Sequence, residues 1–153
     1  MAKSNDIQIS TDKSLLDIDL IFNFLSGSYW AKGRSVSLTK KSIDNSLCFG
    51  VYLKNKQIGF ARVITDYATF AYLADVFILE EYRGKGFSKK LIATILGFPD
   101  LKNIRRWMLA TKDAHTLYSA FGFQNLKEPE KFMEIVTPLR TESSGQSDPL
   151  NTA

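Results

Sequence analysis

Apolar and polar positions along the chain predict an alternation of strands and helices. Runs rich in β-branched and aromatic residues predict strands, and apolar residues three or four positions apart predict helices with one buried face. The predicted strands are residues 7–9, 47–53, 57–65, 69–79, 106–111, 123–126 and 132–136, and the predicted helices are residues 15–25, 38–46, 88–96 and 113–121. This order predicts an α/β fold with a mixed, mostly antiparallel central sheet and helices on both faces.

The chain has the length of one domain. Its 153 residues suffice for a substantial core, and we expect a single domain over residues 1–140, followed by a flexible tail over residues 141–153 that is rich in Ser, Gly, Asp and Pro. No apolar run reaches the roughly 20 residues of a membrane span. The first residues lack the apolar core of a signal peptide. We therefore expect a cytoplasmic protein with no membrane partner.

Charge and cysteine content exclude further classes. The net charge is +4, and the basic residues form no stripe with interleaved aromatics, so we expect no nucleic-acid partner. The single cysteine, Cys48, leaves no internal disulfide and no cysteine-based metal cluster, and we expect no metal.

The most informative segment predicts an anion site. An apolar strand ends at Leu79, a short turn reads Arg-Gly-Lys-Gly over residues 83–86, and a helix starts near Ser88. Glycines let the backbone come close to a ligand, and the free N–H groups and dipole of a helix start favour a phosphate. A Walker loop does not match, and a Rossmann loop would need a glycine where Lys89 stands. An ordinary glycine-rich turn remains an alternative.

Residues 83–88 also fit the pattern Arg/Gln-x-x-Gly-x-Gly/Ala, which resembles the acyl-CoA loop of the GNAT family of N-acetyltransferases. Ser88 departs from the usual Gly or Ala. A second segment, residues 113–123, is similar to the family's second cofactor segment, where a helix ends in Gly-Phe and Tyr118 lies four residues before the glycine. The helical spacing of Ala114, Leu117, Tyr118 and Phe121, which places them on one face, agrees with this, as does a plausible N-cap at Asp113. The resemblance covers about residues 47–137.

The resemblance implies that two neighbouring parallel strands splay apart, those ending near Leu79 and Thr111, and that acetyl-CoA enters the gap. It implies direct transfer of the acyl group to a primary amine of a small molecule or peptide. In the family, the position of Tyr118 protonates the departing thiolate, and a strand N–H near Ile78 would hold the oxyanion. The implied cofactor-binding residues are Phe77, Ile78, Leu79, Arg83, Gly84, Lys85, Gly86, Phe87, Ser88, Asp113 and Tyr118.

Several roles stay open. Asp75 is the only carboxylate inside the cofactor strand, and it is either the general base or a structural hydrogen-bond acceptor; His115 and Glu134 are other candidates for the base. Tyr29 and Trp30 either bind the acceptor or cover the core, and Tyr67 is a further candidate for the lining of the acceptor cleft. Tyr118 itself has the alternative of a core tyrosine.

A different class of function is also compatible with these motifs: a catalytically silent CoA-binding sensor or interaction module. Dimers are common in families of this shape, so a homodimer stays open, although no residue identifies its interface.

Overall fold

A single five-stranded sheet organises the molecule. The computed structural model describes residues 2–138. In chain order the strands are β1 (Ile7–Ser10), β2 (Leu47–Leu53), β3 (Lys56–Thr65), β4 (Phe70–Ile78) and β5 (Arg106–Leu109). They lie side by side in that order; β1 to β4 pair antiparallel, and β5 pairs parallel to β4. The prediction of a mixed, mostly antiparallel sheet is confirmed.

The first two helices begin at a side-chain cap. In chain order the helices are α1 (Ile18–Ser26), α2 (Val36–Asp44), α3 (Phe87–Leu96) and α4 (His115–Ser119). The Asp17 carboxylate accepts the Leu20 N–H at the start of α1, and the Ser35 hydroxyl accepts the Leu38 N–H at the start of α2. By contrast, neither α3 nor α4 has a side-chain cap, and the open start of α3 is part of the site described below.

Apolar clusters fill both faces of the sheet. On one face Leu91, Ile92 and Ile95 of α3 pack in the same cluster as Val63 and Leu73. On the other face a smaller cluster joins the first two helices to the sheet; it contains Ile21, Leu25, Ala31, Ile43, Cys48, Phe60 and Phe77. Helices therefore cover both faces, as predicted, and Cys48 is one of the buried core residues.

An irregularity in β4 turns the Asp75 side chain away from the face of the sheet that α3 covers and toward the face that α1 covers. Residue pairing with β3 shifts between Phe60 and Arg62, so that β4 holds one extra residue there. Asp75 lies in this bulge with a positive φ of 53°. In a regular strand Leu73, Asp75 and Phe77 would share one face. Instead, Leu73 packs with α3 whereas Phe77 packs with α1, so the bulge keeps the Asp75 carboxylate out of the α3 core.

The two parallel strands separate after a short contact. Only Phe70–Leu73 pairs with Arg106–Leu109. Beyond Leu73, β4 continues to Ile78 and finds no partner on the β5 side among the described residues, whereas β5 ends at Leu109. The predicted splay between these strands is confirmed, although β5 ends at Leu109 rather than at residue 111.

The prediction of strands over residues 123–126 and 132–136 was wrong. Neither segment forms a strand, and Met133 and Ile135 are 98% and 96% exposed. Alternating apolar residues indicate a segment that would be stable in a sheet, but a strand also needs a neighbour, and neither segment pairs with β5 in residues 2–138. The predicted tail, residues 141–153, lies outside the described residues.

Candidate active site

The splay opens a cleft between β4 and the chain that follows β5. Its volume is 1300 Å³. Residues 72–78 form one wall and residues 109–114 the other, and the loop between α1 and α2 lies across one end. Ser88 and Tyr118 face into the same cleft from α3 and α4. The cleft therefore brings together both segments that the sequence singled out.

The turn before α3 presents free backbone amides. Gly84 and Gly86 have positive φ values of 78° and 83°, a conformation that glycine adopts without strain. The N–H groups of residues 84–89 meet no acceptor within residues 2–138, whereas the next amide, that of Lys90, donates to the Gly86 carbonyl at 3.1 Å. A Cβ at either glycine would point into open space. An anion can thus approach the turn closely, and the α3 dipole favours it.

The other residues of this turn have distinct places. Arg83 lines the cleft, and its Nε donates to the Ile78 carbonyl at 2.9 Å, which fixes the turn to the end of β4. Phe87 is a core residue, 1% exposed, that anchors α3. The Lys85 ammonium lies 5.8 Å from the centre of the Tyr82 ring. Arg83 and Lys85 add positive charge beside the free amides.

The hydrogen bonds of β4 indicate which of the amides of residues 77–79, all predicted to bind the cofactor, are not used within the sheet. The Leu79 N–H donates to the Ile58 carbonyl at 2.8 Å, so it is used within the sheet. Antiparallel strands alternate between residues that bond to their neighbour and residues that point away. Ile78, one residue earlier, therefore directs its N–H toward the gap, whereas the Phe77 amide faces β3. The Phe77 ring stacks on Phe24 with 3.9 Å between ring centres.

Tyr118 is held on α4 at the wall of the cleft. It is 8% exposed, and its ring meets that of Phe123 edge-on at 5.9 Å. Burial, with a smaller contribution from Tyr29, raises the pKa of the Tyr118 phenol to about 12. The hydroxyl therefore stays protonated at neutral pH and can act only as a donor of its proton.

Asp113 is an exposed residue in the wall of the cleft, but it does not cap α4 as predicted. The Thr111 hydroxyl instead accepts the Ala114 N–H at 3.1 Å, and α4 starts at His115. Because β5 ends at Leu109, Thr111 falls in the connecting loop, where a hydroxyl can fold back onto the following backbone.

Asp75 is the centre of a buried polar network. Its carboxylate accepts hydrogen bonds from Trp30 Nε1 at 2.9 Å, Arg34 Nη1 at 2.8 Å and Arg62 Nε at 2.9 Å. Burial alone would raise the pKa of this carboxyl, but the hydrogen bond from Arg34 and the charge of Arg62 outweigh it and hold the pKa below its ordinary value. Asp75 is therefore charged and has three donors in place.

The sequence analysis did not identify Arg34 as a member of this site. Arg34 lies in a loop 41 positions from Asp75, and no local pattern joins them. Arg62 carried a weak signal, because it alternates with the buried Ala61 and Val63 and so faces the opposite side of β3. A buried carboxylate on the next strand then calls for a cation nearby.

The loop between α1 and α2 is tied across the cleft. The Tyr29 hydroxyl accepts the Lys112 N–H at 3.0 Å, and the Lys112 ammonium lies 5.6 Å from the centre of the Tyr29 ring. Tyr29 and Trp30 both line the cleft. Tyr67, at the turn between β3 and β4, is 51% exposed and does not line it.

Comparison with known proteins identifies the class. The family model for the acetyltransferase (GNAT) domain matches residues 44–125, more than half of the chain. The chain belongs to this family of acetyltransferases. A protein of Gibberella zeae that is named as an acetyltransferase is 29% identical, in an alignment that covers 80% of this chain and 82% of that protein.

Solved structures agree. A GNAT-family protein of Xanthomonas campestris pv. campestris, assigned as an acetyltransferase, is 50% identical with a TM-score of 0.84 and covers 86% of this chain and 94% of its own. The glucosamine-6-phosphate N-acetyltransferase of Arabidopsis thaliana shares the fold at 14% identity, with a TM-score of 0.60 over 88% of this chain and 99% of its own.

Two features are absent from residues 2–138. No cluster of three or more His, Cys, Asp or Glu side chains could hold a metal ion. No helix there has the length and apolar character needed to cross a membrane.

Proposed function

We propose that this protein is an N-acetyltransferase that moves the acetyl group of acetyl-CoA directly to a primary amine of a small molecule or peptide. The observation that carries the proposal is the run of free amides at residues 84–89, which opens at the end of a splayed strand. The diphosphate of CoA fits such a run of N–H groups beside Arg83 and Lys85. A crystal structure from Clostridium acetobutylicum with the same fold, 15% identical with a TM-score of 0.63, contains acetyl-CoA.

The splay supplies the next contacts. Pantetheine carries amides that can pair with a strand edge, and β4 offers its free edge from Ala74 to Ile78. The Ile78 N–H, which points into the gap, is our candidate donor to the thioester oxygen. As the amine nitrogen bonds to the carbonyl carbon, this oxygen gains negative charge, and a fixed donor stabilises it.

Tyr118 is our candidate acid. When the C–S bond breaks, the sulfur takes the electron pair, and the Tyr118 hydroxyl can give it a proton. A phenol with a pKa of about 12 is a weaker acid than a thiol of about 8.5, so this transfer must accompany C–S cleavage rather than follow it. The amine loses one proton overall, which restores the phenol through solvent, so the products are the amide and the free thiol.

Asp75 was predicted as the general base, and that hypothesis stays untested. Its geometry supports a different role better. A base must have a free lone pair within reach of the amine, but three donors already surround this carboxylate, and its pKa is lowered. We propose that Asp75 positions Trp30, Arg34 and Arg62 on the acceptor side of the cleft.

Two measurements on the whole chain test the proposed function. Calorimetric titration with CoA should show binding, and a panel of primary amines should stimulate thiol release from acetyl-CoA. Binding without release on any amine would favour the sensor or interaction module. Absence of CoA binding would overturn the assignment of residues 84–89 and the function with it.

A further inference from the structure

The acceptor side of the cleft holds two guanidinium groups against a single carboxylate. Arg34 donates through Nη1 and Arg62 through Nε, and both hydrogen bonds end on the same oxygen of Asp75, Oδ2, at 2.8 and 2.9 Å. The two cations therefore lie side by side, and one positive charge remains after the Asp75 charge is counted. The two arginine side chains are only 20% and 11% exposed, so water screens their mutual repulsion poorly. A second anion at this place would be stabilising.

Most of the hydrogen-bond donors on these two guanidinium groups are unused. A guanidinium has five N–H donors in a planar fork. Within residues 2–138, Arg34 uses only Nη1, and Arg62 uses Nε and Nη1, the latter on the Ser46 hydroxyl. The hydroxyl of Tyr52 is the one buried side-chain polar atom in that part of the chain without a partner, so the Nη2 groups of both arginines are accessible to solvent. Both arginines line the cleft, where these donors can meet a ligand.

The cleft offers little to a second cationic group. Among the described residues, its charged lining consists of four cationic side chains and two carboxylates: Arg34, Arg62, Arg83, Lys112, Asp75 and Asp113. Asp75 already accepts three hydrogen bonds, and Asp113 lies on the opposite wall, next to Lys112 in the chain. A polyamine or a lysine-rich peptide would therefore meet the two arginines with no carboxylate left to bind it.

The arginines lie close enough to the thioester for one small molecule to reach both. Asp75 precedes Ile78, our candidate donor to the thioester oxygen, by three residues of β4. Three residues span at most about 10 Å of strand. The arginine donors extend from Asp75 into the same continuous cleft. An anionic group a few bonds away from the reacting amine can thus contact them while the amine attacks.

We propose that the acceptor is a primary amine that carries a carboxylate or a phosphate, and that Arg34 and Arg62 bind this anionic group. The inference rests on the proposed function, because it names the class of acceptor for the same site. A guanidinium binds either anion through parallel N–H groups, so the shared chemistry is an anion with two or more oxygens. The anion takes no part in the acyl transfer; it holds the amine in place.

The first test compares amines in pairs that differ in the anionic group. The probes are β-alanine against propylamine, phenylalanine against phenethylamine, and O-phosphoethanolamine against ethanolamine, each titrated calorimetrically into the protein saturated with CoA. For the carboxylates, the phosphate or both, the anionic member should bind at least about tenfold more tightly, the effect of a charge-assisted hydrogen bond. The carboxylate and phosphate pairs together tell which anion the site prefers. Putrescine, a diamine, should bind no more tightly than propylamine.

The second test removes one guanidinium. Arg34→Gln should reduce the ratio within each pair to below about threefold, while the affinity for the neutral amines and for CoA stays within about twofold. Arg34→Lys keeps the charge but loses the planar fork, so part of the preference should remain. Arg105→Gln, at an exposed position outside the cleft, is the matched control and should bind all probes as the wild type does. Circular dichroism checks the folding of each variant, and the wild-type ratios and Arg34→Lys decide the matter if Arg34→Gln does not fold.

Several results would overturn the proposal. They are equal affinity within all three pairs, tighter binding of putrescine than of every anionic probe, no binding of any anionic probe, or an undiminished preference in Arg34→Gln. These titrations do not depend on turnover, so the two proposals can fail separately. A protein that binds CoA but releases no thiol with any amine contradicts the proposed function. A protein that acetylates the neutral member of each pair as efficiently as the anionic member contradicts this inference alone.

Discussion

The cofactor side and the acceptor side of the cleft are built from different chemical groups. The cofactor side consists of backbone N–H groups on a turn with two left-handed glycines. The acceptor side consists of side chains from three separate elements, the loop between α1 and α2, β3 and β4, joined at the Asp75 carboxylate. A backbone site binds any ligand with the right anionic group, whereas a side-chain site can change with each substitution. The first suits a cofactor that a family shares and the second suits an acceptor that varies.

We expect the largest effect at Gly86, where the cofactor side needs a residue without a side chain. We predict that Gly86→Val abolishes measurable CoA binding, with affinity reduced at least about 100-fold, because the new side chain fills the space over the free amides. The positive φ adds roughly 1–3 kcal/mol of backbone strain. Calorimetric titration with CoA measures the affinity.

Gly122→Val is the matched control for strain. Gly122 also has a positive φ, 97°, and a Cβ there meets nothing within 4 Å, but it lies outside the turn before α3. We expect similar losses of thermal stability for the two variants and retained CoA binding for Gly122→Val. Unchanged CoA affinity in Gly86→Val would remove the phosphate role from this turn.

The second prediction concerns the point where the two sides meet. We predict that Tyr118→Phe lowers kcat about 100-fold, within the usual range for loss of a general acid, while CoA affinity changes by less than about twofold. The ring keeps its packing against Phe123, so stability should change little. Steady-state kinetics and CoA titration separate the two quantities.

The pH profile sharpens this prediction. Because the folded pKa of Tyr118 is about 12, the acid form persists across the accessible alkaline range, and no loss of kcat below about pH 11 should arise from this residue. Tyr29→Phe is the control, since it removes another cleft hydroxyl, one that accepts the Lys112 N–H. Equal kcat for Tyr118→Phe and the wild type would leave Tyr118 as a core residue.

The same contrast explains what the sequence could predict. The cofactor side lies almost entirely within residues 77–88, so strand, glycines and helix start appear as one local pattern. The acceptor network joins Asp75 to residues 45 and 41 positions away, and it depends on a bulge that turns the carboxylate to the α1 side. The prediction of strands at residues 123–126 and 132–136 was wrong for a third reason. Their composition is typical of strands, but a strand also needs a neighbouring strand, and a local pattern does not show whether the folded chain provides one.

The third prediction tests the acceptor side. We predict that Asp75→Asn raises KM for the acceptor amine about tenfold, the effect of losing a charge-assisted hydrogen bond, while CoA affinity stays within about twofold. Asparagine keeps the size of the side chain but leaves Arg34 and Arg62 without their shared counter-charge. If Asp75 instead removes the proton from the amine, kcat will fall by far more than KM rises, and the acidic limb of the kcat profile will disappear.

Stability against pH provides a readout that does not depend on the acceptor. The folded pKa of Asp75 is lowered, so its contribution to stability is fully present above the unfolded value of about 3.9 and is lost as pH falls through the folded pKa. The difference in urea midpoint between the wild type and Asp75→Asn should therefore be largest near neutral pH and shrink below about pH 4. Asp100→Asn, on an exposed turn, is the control and should show a much smaller difference at either pH. A wild-type advantage that persists unchanged into strong acid would mean that the Asp75 charge does not hold Arg34 and Arg62 in place.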